Sequence, residues 1–261
     1  MGKGKIVSIH SFRGGTGKSN TTANLAGQVA MAGHRVGIVD TDIQSPGIHV
    51  LFGLDEASIE HSLNEFLYQD MPIKDIAFSI GENVGDAAGR QKLAGKDIWL
   101  VPSSISTKDI SRVLREGYDA NKLNEGMQNF ISEMDLDYLF IDTHPGINEE
   151  TLLSLTVSDI LILILRPDQQ DFQGTIVTVD IARMLDVPHL FLAVNKVLSR
   201  YDPVQVKEAI EDQFECEVAG VMPLTEDLVE LASSDLISLK DPGHPWSVAL
   251  KGIAQAIIEA D

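Results

Sequence analysis

The 261-residue chain has 1 cysteine, Cys216, which excludes an intrachain disulfide and any metal centre ligated by several cysteines of one chain. Long apolar runs are missing too: none approaches the roughly 18 residues that a membrane-spanning helix needs. The positive charge within Met1 to Lys5 is followed by an apolar stretch too short and too interrupted for a signal peptide. These absences predict a soluble protein of a reducing, cytoplasmic compartment. Cations are scarce: Lys and Arg number 20 against 39 Asp and Glu, a formal net charge of -19. Such a field repels nucleic-acid backbones and anionic lipid unless a basic patch is segregated, so sequence-independent DNA binding is disfavoured. There is no internal repeat and no low-complexity tract.

What the chain does have is the composition of a globular protein, 44% hydrophobic and 23% charged, in a length that suits one domain over residues 1–261. Short β-branched runs alternate with amphipathic stretches. Residues 5–10, 35–40, 98–101, 138–142, 160–165, 190–195 and 218–221 read as strands, and most are nearly continuous in apolar character. Strands that are apolar on both faces belong to a parallel sheet covered on both sides, and segments such as 19–32 and 172–185 have helical periodicity. The expectation is a doubly wound α/β domain with a mostly parallel sheet and helices on both faces. In that architecture ligands sit beyond the carboxyl ends of the strands. The polar segments 11–19, 40–47, 142–146, 166–170, 195–200 and 222–227 all follow strands and converge on that edge. Residues 78–97, with four glycines, read as a mobile connection or a partner-facing loop.

After the first strand comes Phe12-Arg13-Gly14-Gly15-Thr16-Gly17-Lys18-Ser19, and a helix opens with Asn20. Glycines let successive backbone N-H groups face phosphate oxygens, and the helix start adds its positive dipole. In such a loop the Lys18 ammonium reaches the outer phosphates and the Ser19 hydroxyl ligates Mg²⁺. The general GxxxxGK[ST] pattern is not fully met, because Phe12 stands at its first glycine.

This loop resembles the deviant Walker A loop of the MinD/ParA family of P-loop ATPases, whose pattern is KGGxGK followed by Ser or Thr. The resemblance covers nearly the whole chain. Val39-Asp40-Thr41-Asp42-Ile43-Gln44-Ser45-Pro46-Gly47 is similar to the family's switch I. Asp137 to Gly146 is similar to its Walker B and switch II, and 166–170 and 194–196 match later strand ends less sharply. Two departures stand out. The signature lysine, which in relatives reaches the partner's phosphates across an ATP-sandwiched dimer, is Arg13 here; arginine keeps the charge and offers a fork of donors, as an arginine finger does. His144 replaces a proline common in switch II, either tuning the switch or standing as a tolerated polar substitution.

The resemblance implies residue roles around ATP and Mg²⁺. Gly14, Gly15, Thr16, Gly17, Lys18, Ser19 and Asn20 would cradle the phosphates, with Lys18 and Arg13 also catalytic. Asp42 would orient the attacking water or serve the metal, Asp142 would hold Mg²⁺ beside Ser19, and Asp40 would support them or Lys18. Gly146 would offer its N-H to the γ-phosphate. The guanine-specific NKxD pattern fails at Leu198, so adenine is expected. Asn195 either reaches the base or is a strand-end turn former, and the turn at Pro223 is similar to the segment that packs against the base.

The function expected is an ATPase that forms an ATP-dependent homodimer, with a cargo or activating protein stimulating slow hydrolysis. A nucleotide-holding adaptor without turnover and an ATP-dependent ligase are the alternatives, the latter lacking any recognisable cationic substrate pocket. An iron-sulfur reductase on this fold needs paired cysteines, which one Cys excludes. Trp246, Leu250, Ile253 and Ile257 form an apolar stripe, but Lys251 is the only cation of that last helix. A helix packed on the sheet is therefore expected there in place of a stable membrane anchor.

Overall fold

The computed structural model describes residues 4–55 and 57–260; the domain reading of 1–261 also takes in residues 1–3, 56 and 261, which lie outside them. The strands are β1 (Lys5–His10), β2 (Val36–Asp40), β3 (Phe78–Ser79), β4 (Ile98–Val101), β5 (Tyr138–Asp142), β6 (Ile160–Leu165), β7 (His189–Val197) and β8 (Val218–Pro223). They form one sheet in the order β3-β4-β2-β5-β1-β6-β7-β8. All neighbours pair in parallel except β3, which runs antiparallel to β4 at the edge. This is the doubly wound arrangement expected from the runs of apolar residues.

Strand alternation divides the core between two layers. On one face Val7, Ile9, Ile38, Phe140 and Ile162 pack with Leu25 and Val29 of the helix Lys18–Met31 and with Trp246, Leu250 and Ile253 of the helix Pro245–Glu259. On the other, Ile6, Val39 and Ile141 meet Met127 and Phe130 of the helix Ala120–Met134. On that second face Leu161, Leu163 and Val194 meet Val179 of the helix Gln169–Met184 and Phe214 of the helix Pro203–Phe214. β6 is buried at every residue, as a central strand covered on both faces must be. The four residues of the last-helix stripe, Trp246, Leu250, Ile253 and Ile257, are fully buried, so that stripe is core. Among the described residues no helix is long and apolar enough to cross a membrane.

Helix starts are marked by side chains that take up the first free amides. Asp168 accepts from Gln170 and Asp171, Asn148 from Thr151, and Asp202 from Val204 with Pro203 in the first turn. The helix at Lys18 is an exception: its N-cap is Gly17 in a left-handed conformation, with no side-chain cap.

Two local expectations are corrected. The connection 78–97 contains β3 and a 3₁₀ turn at Arg90–Leu93. It is tied to the body by Asp235, whose buried carboxylate accepts from Gly89 N (2.9 Å) and Arg90 N (3.0 Å). Sequence-local reading missed this because the anchor lies about 146 residues away. β7 also runs two residues beyond Asn195. Its Val197 still pairs with Pro223 past an irregular register, and Lys196 takes a left-handed φ of 60°.

Candidate functional site

β1 and β5 run side by side to their carboxyl ends, with Ile9 in register with Asp142, and β5 and β2 bring Asp142 opposite Asp40. The loop after β1 therefore lies over two acidic strand ends. Lys18 folds back onto them: its Nζ donates to Asp142 Oδ1 at 2.8 Å, with side chains 7% and 1% exposed. Thr22, one turn along the helix, donates to the same oxygen at 3.1 Å. Asp142 Oδ2 and Asp40 Oδ2 are buried without a partner, as is Thr16 Oγ1.

Electrostatics follow from that crowding. Burial, and then the neighbouring Asp142 carboxylate, push the Asp40 carboxyl well above the usual range. The single ammonium nearby, Lys18, is paired with Asp142 and only partly opposes that rise. Beneath the loop His10 is held neutral, its pKa lowered to about 3 by burial, then by Lys18 and His144. Its Nδ1 lies 2.7 Å from Thr143 Oγ1, and that hydroxyl donates to Ile9 O at 2.9 Å. Thr143 thus accepts from His10, which fixes Nδ1 as the protonated nitrogen.

The loop backbone is open toward solvent. Gly15 and Gly17 have φ of 76° and 96°, which L side chains avoid, and a Cβ at Gly17 would sit 2.5 Å from Asn195 Nδ2. Among the described residues, no hydrogen bond is donated by the backbone N-H of Gly14, Gly15, Thr16, Gly17, Lys18 or Ser19. The carbonyls, by contrast, are held from below: Asn195 Nδ2 donates to Thr16 O at 2.8 Å and Lys196 Nζ to Gly15 O at 2.7 Å. Asn195 Oδ1 in turn accepts from Lys196 N and, at 3.4 Å, from Trp246 Nε1. The end of β7 thus holds two of the loop carbonyls, those of Gly15 and Thr16.

Asp42, past β2, accepts on Oδ1 from Ser45 N, from Ser45 Oγ and from His144 Nδ1, the last at 2.7 Å. Its own N-H donates to Asp40 Oδ1 at 3.0 Å. Gly146 N-H donates to Ser11 O at 3.1 Å, so the segment after β5 rests against the loop after β1. Asn20 O accepts from Asn24, and Pro223 closes β8.

Arg13 is turned elsewhere. It donates to Gln170 Oε1 and lies 3.9 Å from Asp171, a buried carboxylate gripped by Arg166 through Nε (2.9 Å) and the guanidinium NH₂ (3.1 Å). Burial would raise the Asp171 pKa, but the Arg166 hydrogen bonds and charge outweigh it and hold it low. Beside Arg13, the Phe12 ring packs against Gly174, where a Cβ would meet it at 1.9 Å. Phe12, Arg13, Gln170, Gln173, Gly174 and Val177 line an open groove of about 510 Å³. An apolar groove of about 540 Å³ between Met31 and Ile258 contains none of the expected site residues and lies at the far end of the first helix.

The structure therefore gathers Lys18, Asp40, Asp42 and Asp142 at one strand edge and sets Asn195 under the loop. Sequence reasoning had no place for His10, Thr22, Thr143 or Lys196. Of these, Thr143, inside the motif 137–146, and Lys196, adjacent to Asn195, carried some signal.

Residues 4–186 match the protein family described as AAA domain. An uncharacterized ATP-binding protein of Methanocaldococcus jannaschii is 27% identical over 255 residues, 97% of this chain and 88% of that protein. The sporulation initiation inhibitor protein Soj of Bacillus subtilis is 31% identical over 172 residues, 66% of this chain and 62% of Soj. An iron-sulfur cluster carrier protein of Rickettsia conorii is 25% identical over 236 residues, 89% of this chain and 65% of its own length. The chain thus spans less than two thirds of the last two. The septum site-determining protein MinD of Pyrococcus horikoshii, solved with Mg-ADP, superposes with a TM-score of 0.79 at 20% identity, over 98% of this chain and 96% of that one.

Proposed function

The chain belongs to the MinD/ParA family of P-loop ATPases, and from that premise we propose that it binds ATP with Mg²⁺, closes into a homodimer and hydrolyses the nucleotide as a switch. The observation that carries the reading is the row of six undonated amides, Gly14 to Ser19, above a buried ammonium. A row of amides at a helix start is a site for a polyanion and has no use for a neutral ligand. Lys18 exchanges Asp142 for phosphate oxygen when the anion arrives. That exchange frees a carboxylate whose second oxygen already lacks a partner.

The donor set suits a hard dication: Ser19 hydroxyl and the Asp142 carboxylate, with Asp42 nearby, are all oxygen ligands. Mg²⁺ held by these oxygens would supply positive charge to neutralise the outer phosphates. Asp42 orients water for in-line attack on the γ-phosphorus. Gly146 trades Ser11 O for the γ-phosphate and so reports its presence, which is how hydrolysis releases a switch segment. In this reading Asn195 and Pro223 border the adenine.

Closure brings Arg13 of each copy to the partner's phosphates, and a cargo or activating protein reads the closed state. The acidic surface argues against nucleic acid as that partner. A compartment of the reducing, cytoplasmic kind suits the lone thiol. One observation favours a second reading, a nucleotide-holding adaptor: Arg13 is engaged in cis by Gln170 and Asp171 and must let go before it serves another site. A cluster-carrier role finds no support in Cys216, which lies before β8 at the opposite edge, its thiol pushed up to about 11 by burial.

The test is molar mass by light scattering without nucleotide, with ADP and with ATP, alongside phosphate release. Asp42→Ala serves as an ATP trap. Doubling of mass with ATP alone, reversed by turnover in the wild type and persistent in Asp42→Ala, is the expected result. An unchanged mass in all three states removes the switch, and tight binding without phosphate release selects the adaptor.

A further inference from the structure

We infer that His144 is a positioning residue for hydrolysis, fixing the Asp42 carboxylate from the neighbouring strand so that one oxygen alone is left to hold the attacking water. The inference rests on the ATPase reading and deepens it.

The geometry begins in the sheet. β2 and β5 pair in parallel with Asp40 opposite Asp142, and Thr41 N donates to Asp142 O at 3.0 Å. Asp42 and His144 stand two residues further along each chain with the same offset. They meet because the register continues past the strand ends into the two switch segments. His144 has a fixed base from which to act: the preceding Thr143 donates to Ile9 O through both its N-H (3.3 Å) and its hydroxyl (2.9 Å).

A carboxylate only accepts, so His144 Nδ1 carries the hydrogen in its 2.7 Å contact with Asp42 Oδ1. That oxygen also takes both Ser45 donors and has no capacity to spare. Among the described residues no hydrogen bond reaches Asp42 Oδ2. The two Ser45 contacts come from the same turn as Asp42 and move with it. His144 alone ties the carboxylate to β5, the strand that carries Asp142. The relation between water holder and metal holder is thereby set by one imidazole, which is 22% exposed against 9% for the Asp42 side chain.

In-line attack depends steeply on such placement, a displacement of about 1 Å costing about 10²-fold. Loss of His144 should therefore slow turnover and spare nucleotide binding. The experiment measures kcat, KM and equilibrium ATP affinity for wild type, His144→Ala, His144→Asn and Asp42→Ala/His144→Ala, with thermal melting of each as a fold control. The Asn amide nitrogen stands near the place of Nδ1 and donates without a ring. Expected are a fall in kcat of about 10–100-fold in His144→Ala with affinity within about twofold, recovery of most of that loss in His144→Asn, and no further fall in the double variant relative to Asp42→Ala. Unchanged kcat in His144→Ala, an equal loss in affinity, or failure of Asn to restore turnover overturns the role of His144 while the ATPase reading stands. Absence of phosphate release from wild type overturns both.

Discussion

Lys18 Nζ sits 2.8 Å from Asp142 Oδ1 at the floor of the loop, and neither charge has another opposite charge within ion-pair distance among the described residues. Each keeps the other tolerable in a buried setting. Removing one partner of such a pair leaves an uncompensated charge, at a cost of about 3–5 kcal/mol. Lys18→Ala should therefore melt earlier in the absence of nucleotide and also bind ATP about 10–100-fold more weakly, the size expected for lost hydrogen bonds to a charged group. Denaturant titration reads the first effect and calorimetry the second. Unaltered affinity would mean the phosphates lie elsewhere.

Asn195 and Lys196 hold two loop carbonyls, which separates two duties for Asn195. A residue that acts through the loop supports any ligand with phosphates, whereas a base reader supports only the nucleotide. Because Nδ2 holds Thr16 O with one of its N-H groups and Oδ1 accepts from Lys196 N and Trp246 Nε1, Asn195→Ala should weaken ATP and inorganic triphosphate alike. Stability should fall by about 1–3 kcal/mol from the orphaned partners. Competition binding with both ligands checks this, and a loss confined to ATP would assign Asn195 to the base.

Arg13 is the side chain whose present contacts differ most from its proposed duty. If it acts across a dimer, Arg13→Ala and Asp42→Ala should each release little phosphate alone and recover part of wild-type turnover when mixed. In the mixed dimer, one site receives an intact Asp42 from one copy and an intact Arg13 from the other. An arginine finger is worth about 10³–10⁵-fold, so the recovery is readily measured by phosphate release. No recovery at any ratio would confine Arg13 to its own subunit.

The fold was legible because most of the central strands are short, nearly continuous in apolar character and followed at once by a polar turn, the pattern of a covered parallel sheet. β6, with Ile and Leu at all six positions, could stand nowhere else. The glycine loop stood out in the sequence because its residues are local: glycines, lysine and serine fall within the six positions Gly14 to Ser19. What stayed hidden depends on distance along the chain. The Asp235 anchor under residues 89–90, the His10–Thr143 contact and the clamp of β7 on the loop each join residues more than 130 apart. β3 is two residues long and too brief for any alternation to announce it. His144 was visible as a departure from its family, but its partner emerged only from the register of β2 against β5.

His10 gives the protein a pH dependence of definite sign. Its pKa is about 3 in the folded chain against an ordinary value of 6.5, chiefly because burial disfavours the charged ring. The unfolded chain thus binds a proton through pH 6.5 to 3 that the folded chain refuses. Stability from this residue is complete above pH 6.5 and is lost as the pH falls toward 3. At about 1.4 kcal/mol per pH unit the loss reaches roughly 3 kcal/mol by pH 4. Asp40, with its raised pKa, pulls the other way and gains as the pH falls, so the total slope mixes both groups. Replacing the ring isolates its share: His10→Gln removes the titration and leaves Asp40 in place. Even if the substitution lowers stability overall, its unfolding free energy should fall less steeply than wild type between pH 6.5 and 4. Urea unfolding at half-unit intervals without nucleotide measures both slopes, and parallel curves would show that His10 takes up its proton as readily folded as unfolded.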